Sequence, residues 1–223
     1  MVKSVNVVGR GRAGSAIAAR LAERGIDLRE DGAELVLLCV PDRAIADAAA
    51  EISPGPWIGH VSGGTPLSAL DPHTRRFGLH PLQTLTRARG PEQLEGAFAA
   101  VTAESDEAQD LAFDLAHVLG LEPFVLDDSQ RALYHAGAAI ASNFLVTLYR
   151  SAAELLETAG VPPKALIPLM RRTIENGFEL TGPIARGDWE TVEAHLAAIR
   201  ESHPELEPAY RALADLTAEK ALP

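Results

Sequence analysis

The chain has 223 residues, 47% of them hydrophobic and 23% charged, enough apolar material for one large domain or two modest ones. Its 31 acidic against 20 basic residues give a net charge of -11, which excludes a nucleic-acid ligand, and no basic stripe interrupts that balance. A single cysteine, Cys39, rules out an internal disulfide, and no apolar stretch reaches the ~20 residues that span a bilayer. The expected setting is therefore cytoplasmic, with no membrane partner; Met1-Val2-Lys3-Ser4 runs straight into a strand pattern, so no signal peptide is expected.

In chain order, Val5–Val8 reads as a short buried strand. Helical spacing follows from Arg12 to Arg24, with Ala13, Ile17 and Leu21 on one face and Gly25 as the stop. Only nine residues separate Gly25 from Leu35, too few for a strand, a crossover helix and another strand. Ile26–Glu30 fits one short strand, and Asp31-Gly32 is a two-residue turn that makes an antiparallel return possible. Leu35–Val40 is a second apolar run, closed by Pro41-Asp42 and followed by a helix over Arg43–Ile52. Further strands are predicted at Trp57–Val61, Phe77–His80, Ala97–Thr102 and Pro123–Leu126, with a helix at Glu107–Leu119. Such alternation implies an α/β fold with a mostly parallel sheet covered on both faces.

After Asp127 the strand signal ends. One long helix is predicted over Arg131–Ala159, then helices over Lys164–Glu175, Trp189–Glu201 and Glu205–Lys220, with Asp188 capping the third of these. The domains are thus expected at residues 1–127, a Rossmann-type dinucleotide-binding domain, and 128–223, an all-α domain.

The most specific motif is Gly9-Arg10-Gly11-Arg12-Ala13-Gly14, a G-x-G-x-x-G between a strand and a helix. Gly9 permits a tight turn, Gly11 lets backbone approach a pyrophosphate, and Gly14 lets helix and strand pack closely. Arg10 or Arg12 can meet a phosphate, and Glu30 or Asp31 a ribose, although the short second segment abbreviates the adenosine end of the site. Two later strand ends carry His60-Val61-Ser62-Gly63-Gly64 and His80-Pro81-Leu82-Gln83-Thr84. Ligands of open α/β sheets bind beyond such ends, so Ser62, Gly63, Gly64 and Gln83 are candidate substrate contacts and His80 a candidate proton donor. A turn at Gly63-Gly64 and a loop role for His80 are the plainer alternatives.

On the long helix His135, Ala139 and Ser142 share one face, with Asn143 at its edge. Polar groups among small residues suit a lined cleft; a buried hydrogen-bond network has the same pattern. Arg186 offers itself to a substrate anion or to a surface ion pair. The seven histidines show no paired metal-ligand spacing, which leaves only a convergence of His60, His80 and His135 as a metal site.

In their order, Val8–Gly14, Leu37–Asp42, His60–Gly64, His80–Thr84, Tyr134–Asn143 and Thr181–Asp188 resemble a bacterial Rossmann-like family with a C-terminal domain of unassigned function. That family is similar to the 6-phosphogluconate dehydrogenase, ketopantoate reductase and pyrroline-5-carboxylate reductase group. The resemblance spans nearly the whole chain. It implies an abbreviated Rossmann domain, a 6-phosphogluconate-dehydrogenase-like helical domain that pairs into a homodimer, and an NADP- or NAD-linked reductase. The cofactor would lie on Gly9–Gly14 with Val40 and Pro41, and the substrate in the interdomain cleft. Asn143 matches a substrate- or nicotinamide-site Asn, but Ala139 stands where the hydroxyacid dehydrogenases of that group carry a catalytic Lys. Proton donation therefore falls to His80 or His135, or the reaction is imine reduction, which needs less acid assistance. The expected activity is reduction of a small C=O or C=N substrate, a carboxylate. Its rivals are a nucleotide-binding or scaffold protein that has lost the reaction, and a cofactor-independent or metal-assisted enzyme built on the three histidines.

Overall fold

A computed structural model describes residues 2–221; Met1, Leu222 and Pro223, at the outer limits of the two expected domains, lie outside the described residues. The contacts divide the chain into two compact units between Ser142 and Asn143.

The first unit holds a seven-stranded sheet in the order β2-β1-β3-β4-β5-β6-β7. Its strands are β1 (Ser4–Val8), β2 (Asp27–Leu28), β3 (Leu35–Leu38), β4 (Trp57–His60), β5 (Arg76–Pro81), β6 (Phe98–Ala103) and β7 (Glu122–Val125). Every neighbouring pair is parallel except β5 and β6. The unbroken apolar run of β3 has a direct cause. Leu35 and Leu37 enter one core cluster with helices α1 (Arg12–Glu23) and α3 (Asp106–Val118), while Val36 and Leu38 enter a second with α2 (Ile45–Ala50). A strand buried on both faces has no polar positions left to alternate. Each fully buried Leu or Ile in these clusters contributes about 1.5–3 kcal/mol.

The helix ends follow local chemistry. Gly25, at φ 76°, ends α1 as the N–H of Ile26 reaches back to the Leu21 carbonyl. Ser105 caps α3 by accepting from the Ala108 N–H at 3.2 Å.

The antiparallel return expected at Asp31-Gly32 does not form. β2 pairs parallel to one side of β1, with Leu28 beside Val5, and β3 pairs parallel to the other side, with Leu35 also beside Val5. A parallel connection ordinarily needs a helix to climb back along the strand. Here β2 is only 2 residues long, so there is almost nothing to climb. Residues 29–34 need to cross only the width of β1, about 10 Å at the usual strand spacing.

Past β7 the first unit continues through α4 (Arg131–Ala139). Strands end where the sequence pattern changes, yet the compact unit runs on to Ser142 because the first residue of α4, Arg131, is buried beneath the sheet's carboxyl edge. The predicted long helix continues through a π turn at Ile140–Phe144, which holds Ser142 and Asn143, into α5 (Leu145–Thr158). Such wide turns recur at functional sites.

The second unit adds α6 (Leu166–Glu175), α7 (Trp189–Ser202) and α8 (Glu207–Ala221). Asp188 caps α7 as expected, accepting from the Thr191 N–H at 3.2 Å. Its own core is thin: Val192, Leu196 and Ala214, with Ile184 and Tyr210 packed against them. No helix among the described residues is long and apolar enough to cross a membrane.

Candidate active site

Because β1, β3, β4 and β5 run parallel, their carboxyl ends lie along one edge of the first unit. β1 delivers the glycine loop. Gly9 has φ 106°, and a methyl group there would stand 2.6 Å from the Cys39 carbonyl oxygen. One on Gly14 would stand 2.0 Å from the Gly9 carbonyl oxygen. These two glycines let β1, α1 and the end of β3 close on each other. Gly11 differs: its position has no heavy atom within 4 Å. No side chain caps α1 and no acid lies in its first turn. An open, uncapped helix N-terminus is a ready anion site. Arg10 and Arg12 flank it, both exposed, with Ala13 half-buried; Val40 follows Cys39, its backbone N 3.2 Å from where a Gly9 methyl would stand, and Pro41 comes next in the chain. Burial pushes the Cys39 thiol up to about 12, so this cysteine is a core residue and no nucleophile.

On the adenosine side, Asn6 Nδ2 donates to the Glu30 carbonyl at 3.1 Å, and Arg29 pairs with Asp27. The segment expected to meet a ribose is thus a largely exposed six-residue loop, residues 29–34, attached to a minimal strand.

β4 delivers the Ser62-Gly63-Gly64 turn. The Ser62 hydroxyl is committed inside it: it donates to Thr65 Oγ1 at 2.8 Å and accepts from the N–H groups of Thr65 at 3.0 Å and Gly64 at 3.3 Å. Gly63 is where side chains converge. A methyl there would stand 2.8 Å from His135 Cδ2, 2.9 Å from His80 Cε1 and 3.0 Å from His80 Nε2. The two histidine rings meet edge to face with centroids 5.8 Å apart. The structure therefore gathers His80, His135, Gly63 and Gly64. Gln83 lies on the exposed segment just beyond, its Oε1 accepting from the Thr84 N–H at 2.8 Å. Ser142 donates to the Ala138 carbonyl at 2.7 Å, while Asn143 and Arg186 belong to the second unit.

Two participants escape sequence reasoning. Tyr134 places its hydroxyl 2.8 Å from His80 Nδ1. Burial pushes that phenol up to about 12, so it keeps its proton. Arg131, only 1% exposed, donates through Nη1 to Thr102 Oγ1 at 2.8 Å and through Nη2 to the Ser62 carbonyl. Its Nε is buried without a partner, and it forms no ion pair among the described residues. A helix-opening arginine ordinarily reads as solvated, but one signal was present: Gly78 inside β5. A methyl at Gly78 would stand 2.8 Å from Arg131 Nη1, and glycine within a strand marks such a close approach.

The buried cation shapes its neighbours. His60, fully buried, accepts from the Ser62 N–H at 3.3 Å. Burial, then Arg131 and His80, hold it down to about 3. His80 is held down to about 4 by burial, then by His135 and Arg131, against a smaller opposing pull from Asp42. At neutral pH His80 is uncharged, offering a ring N–H and no imidazolium proton. His73 bonds the Ala49 carbonyl at 3.0 Å and stays out of the site. Among the described residues no group of three His, Cys, Asp or Glu side chains is placed to hold a metal.

Comparison with known proteins bears on this arrangement. A family model described as a domain of unknown function (DUF2520) matches residues 97–217. Curated protein sequences give no significant match. Among solved structures, a Bacteroides fragilis protein provisionally described as an NADP oxidoreductase superposes with a TM-score of 0.82 at 21% identity, covering 98% of each chain. A Thermotoga maritima protein gives 0.75 at 22% identity, covering 97% of this chain and 98% of its own. The reductive aminase of Aspergillus terreus, in complex with NADPH and ethyl levulinate, gives 0.68 at 17% identity, covering 99% and 95%. At these identities the likeness is one of fold, a Rossmann-type sheet followed by a helical domain.

Proposed function

The chain belongs to the family described as a domain of unknown function (DUF2520), and on that premise we propose that it is an NADP- or NAD-dependent oxidoreductase reducing a small anionic C=O or C=N compound. The observation that carries the reading is the glycine loop: Gly11 stands open above an uncapped helix N-terminus while Gly9 and Gly14 close the turn beneath it. That shape fits a pyrophosphate, which the α1 N–H groups, Arg10 and Arg12 would hold, with Val40 and Pro41 alongside. The described neighbours named as NADP oxidoreductase and NADPH-bound reductive aminase support the assignment. When bound, the nicotinamide supplies the hydride.

The protein's own residues set the substrate. Arg131 puts a buried positive charge, with no ion pair among the described residues although Asp128 and Asp42 act on it from nearby, beneath the Ser62–Gly64 turn, which favours an anionic ligand there. The side of Gly63 that a methyl would occupy faces His80 and His135. In the tautomer in which Tyr134 donates to Nδ1, His80 carries its proton on Nε2, beside Gly63, where it can hydrogen-bond the substrate's double bond.

The second unit has a thin core and exposes Phe144, Leu169 and Phe178 at 57%, 63% and 71%. A second copy of the chain covering this face completes the proposal as a homodimer.

The test is calorimetric titration with NADPH, NADH and ADP-ribose, followed by a screen of small oxo- and imino-carboxylates. Micromolar binding of a reduced dinucleotide, abolished in Gly11→Asp, is expected; no binding by the folded protein would refute the reading. Binding without turnover of any substrate would instead favour a nucleotide-binding scaffold, the alternative to which the two-residue β2 lends weight.

A further inference from the structure

A second concentration of charge lies between α1 and the segment that follows β5. Arg12 and Ser15 of α1, with Thr86, Arg87, Arg89 and Gly90 from the segment after β5, line a cavity of about 290 Å3. Three arginines lining one cavity in a chain of net charge -11 run contrary to its overall balance. Like charges brought together raise the free energy of the empty pocket, and an anion relieves it. The acid beside them is Glu92, which lies 3.7 Å from Arg89 and accepts from the Gly90 N–H. Arg12 and Arg87 form no ion pair among the described residues.

The wall carrying Arg87 and Arg89 is also held unusually firmly for a surface segment. Gln93, 5% exposed, accepts through Oε1 from the Thr86 N–H at 2.8 Å. Through Nε2 it donates to the carbonyls of Thr86 at 3.1 Å, Arg89 at 2.9 Å and Gly90 at 2.8 Å. From the other side, buried Arg20 of α1 donates to the Pro91 carbonyl at 2.9 Å. The backbone is fixed on α1 while the two arginine side chains stay exposed, which is preorganisation for a ligand. The volume sits at the lower edge of the ~300–1,000 Å3 that receives drug-sized ligands, so it suits a compact anion and not a whole dinucleotide. Its wall comes from the β5 side of β1, opposite the β2 edge where the adenosine end of a dinucleotide would lie.

We infer that this pocket binds a phosphate or pyrophosphate group, held by Arg12, Arg87 and Arg89. Two sources share that chemistry: the phosphates of the dinucleotide, and a separate phosphorylated small molecule. The pocket shares Arg12 with the proposed dinucleotide site, so the first source rests on that reading and the second does not.

The experiment titrates inorganic pyrophosphate into the full chain by calorimetry, for the wild type, R87Q/R89Q and R87K/R89K, then repeats the series with NADPH. Saturable pyrophosphate binding is expected. It should weaken at least about tenfold in R87Q/R89Q, the loss of one or more charge-assisted contacts, and recover in part in R87K/R89K. A parallel loss of NADPH affinity identifies the dinucleotide's phosphates as the source; unchanged NADPH affinity identifies a separate phosphorylated ligand. Pyrophosphate binding without any NADPH binding would support the pocket and refute the reductase. Absence of saturable pyrophosphate binding, or equal affinity in wild type and a folded R87Q/R89Q, overturns the inference.

Discussion

Gly14→Ala and Gly11→Ala are the same chemical change three residues apart, and the structure separates their outcomes. A methyl on Gly14 would lie 2.0 Å from the Gly9 carbonyl oxygen and 3.0 Å from Cys39 Cβ. Ordinary carbon–oxygen contacts are no closer than about 3.3 Å, so β1 and α1 must part by more than an ångström. Overpacking against mobile side chains costs about 1–3 kcal/mol. Here the obstacle is backbone, which places the cost at about 3 kcal/mol or above. Alanine returns about 1 kcal/mol through helix propensity, leaving a net loss near 2 kcal/mol and a melting temperature lower by roughly 4–8 °C. Gly11 has φ -71° and open space around it, so alanine there should change stability by no more than about 0.5 kcal/mol. Its methyl would nevertheless occupy the approach of a bound pyrophosphate and should weaken NADPH binding at least about tenfold. Urea unfolding and dinucleotide titration on both variants make the check. A Gly14→Ala protein as stable as wild type, or a Gly11→Ala protein as damaged as Gly14→Ala, would refute the packing argument.

Tyr134→Phe removes the hydroxyl on His80 Nδ1 and should lower kcat about tenfold with little change in KM or melting temperature; a change confined to KM would show that the tyrosine does not orient His80. His60 and His80, at about 3 and about 4 when folded, take up protons near 6.5 when unfolded, so stability present at neutral pH is lost as pH falls from 6.5 toward those values. The fall should be visible in urea midpoints between about pH 6.5 and pH 5, above the carboxylate range, and should shrink in His80→Asn; a flat wild-type profile there would contradict it. Arg131→Met should cost about 1–3 kcal/mol, since it strands the Ser62 carbonyl and takes a donor from Thr102, whose hydroxyl keeps its bond to the Leu126 carbonyl, and should raise the NMR titration midpoint of His80. An unmoved midpoint would remove Arg131 from the electrostatics. Leu169→Glu with Phe178→Glu should convert the proposed dimer to monomer in sedimentation; a wild type already monomeric would refute the dimer.

What was legible in the sequence was whatever obeys local rules. The β3 run and the α1 stop at Gly25 depend on apolar pattern and on a single positive φ; the stop falls at Gly25, and β3 starts at Leu35 as the pattern has it but ends at Leu38, two residues before the run does. The Asp31-Gly32 turn misled because hairpin chemistry is judged from two residues, whereas the pairing of β2 was decided by its length and by the free edge of β1. The candidate site divides in the same way. Glycines announce close approach wherever they fall, so Gly9 and Gly14 were readable, and Gly78 was readable in principle. Arg131 was not, because nothing local distinguishes a buried arginine from a solvated one; its partners Ser62 and Thr102 lie 69 and 29 residues away in the chain. Ser62 illustrates the converse. Its place at a strand end invited a substrate, but its hydroxyl is taken up by its own turn.

The electrostatics also bear on which double bond the site reduces. When a carbonyl accepts hydride, an alkoxide develops and must receive a proton. A His80 ring held at about 4 carries no imidazolium proton at neutral pH, and stripping its last N–H would leave an imidazolate. Carbonyl reduction through His80 therefore requires that the anionic substrate first raise the ring toward protonation, so its rate should fall steeply as pH rises. A protonated imine brings its own proton, gives a neutral amine on hydride addition, and needs from His80 only the hydrogen bond that Tyr134 orients. Its rate should follow the substrate's titration, unaltered in Tyr134→Phe apart from amplitude. The uncharged His80 ring thus suits a substrate that brings its own proton, whereas the buried Arg131 charge opposes a cationic iminium beside it, and the pH profile with one substrate of each kind decides between C=N and C=O.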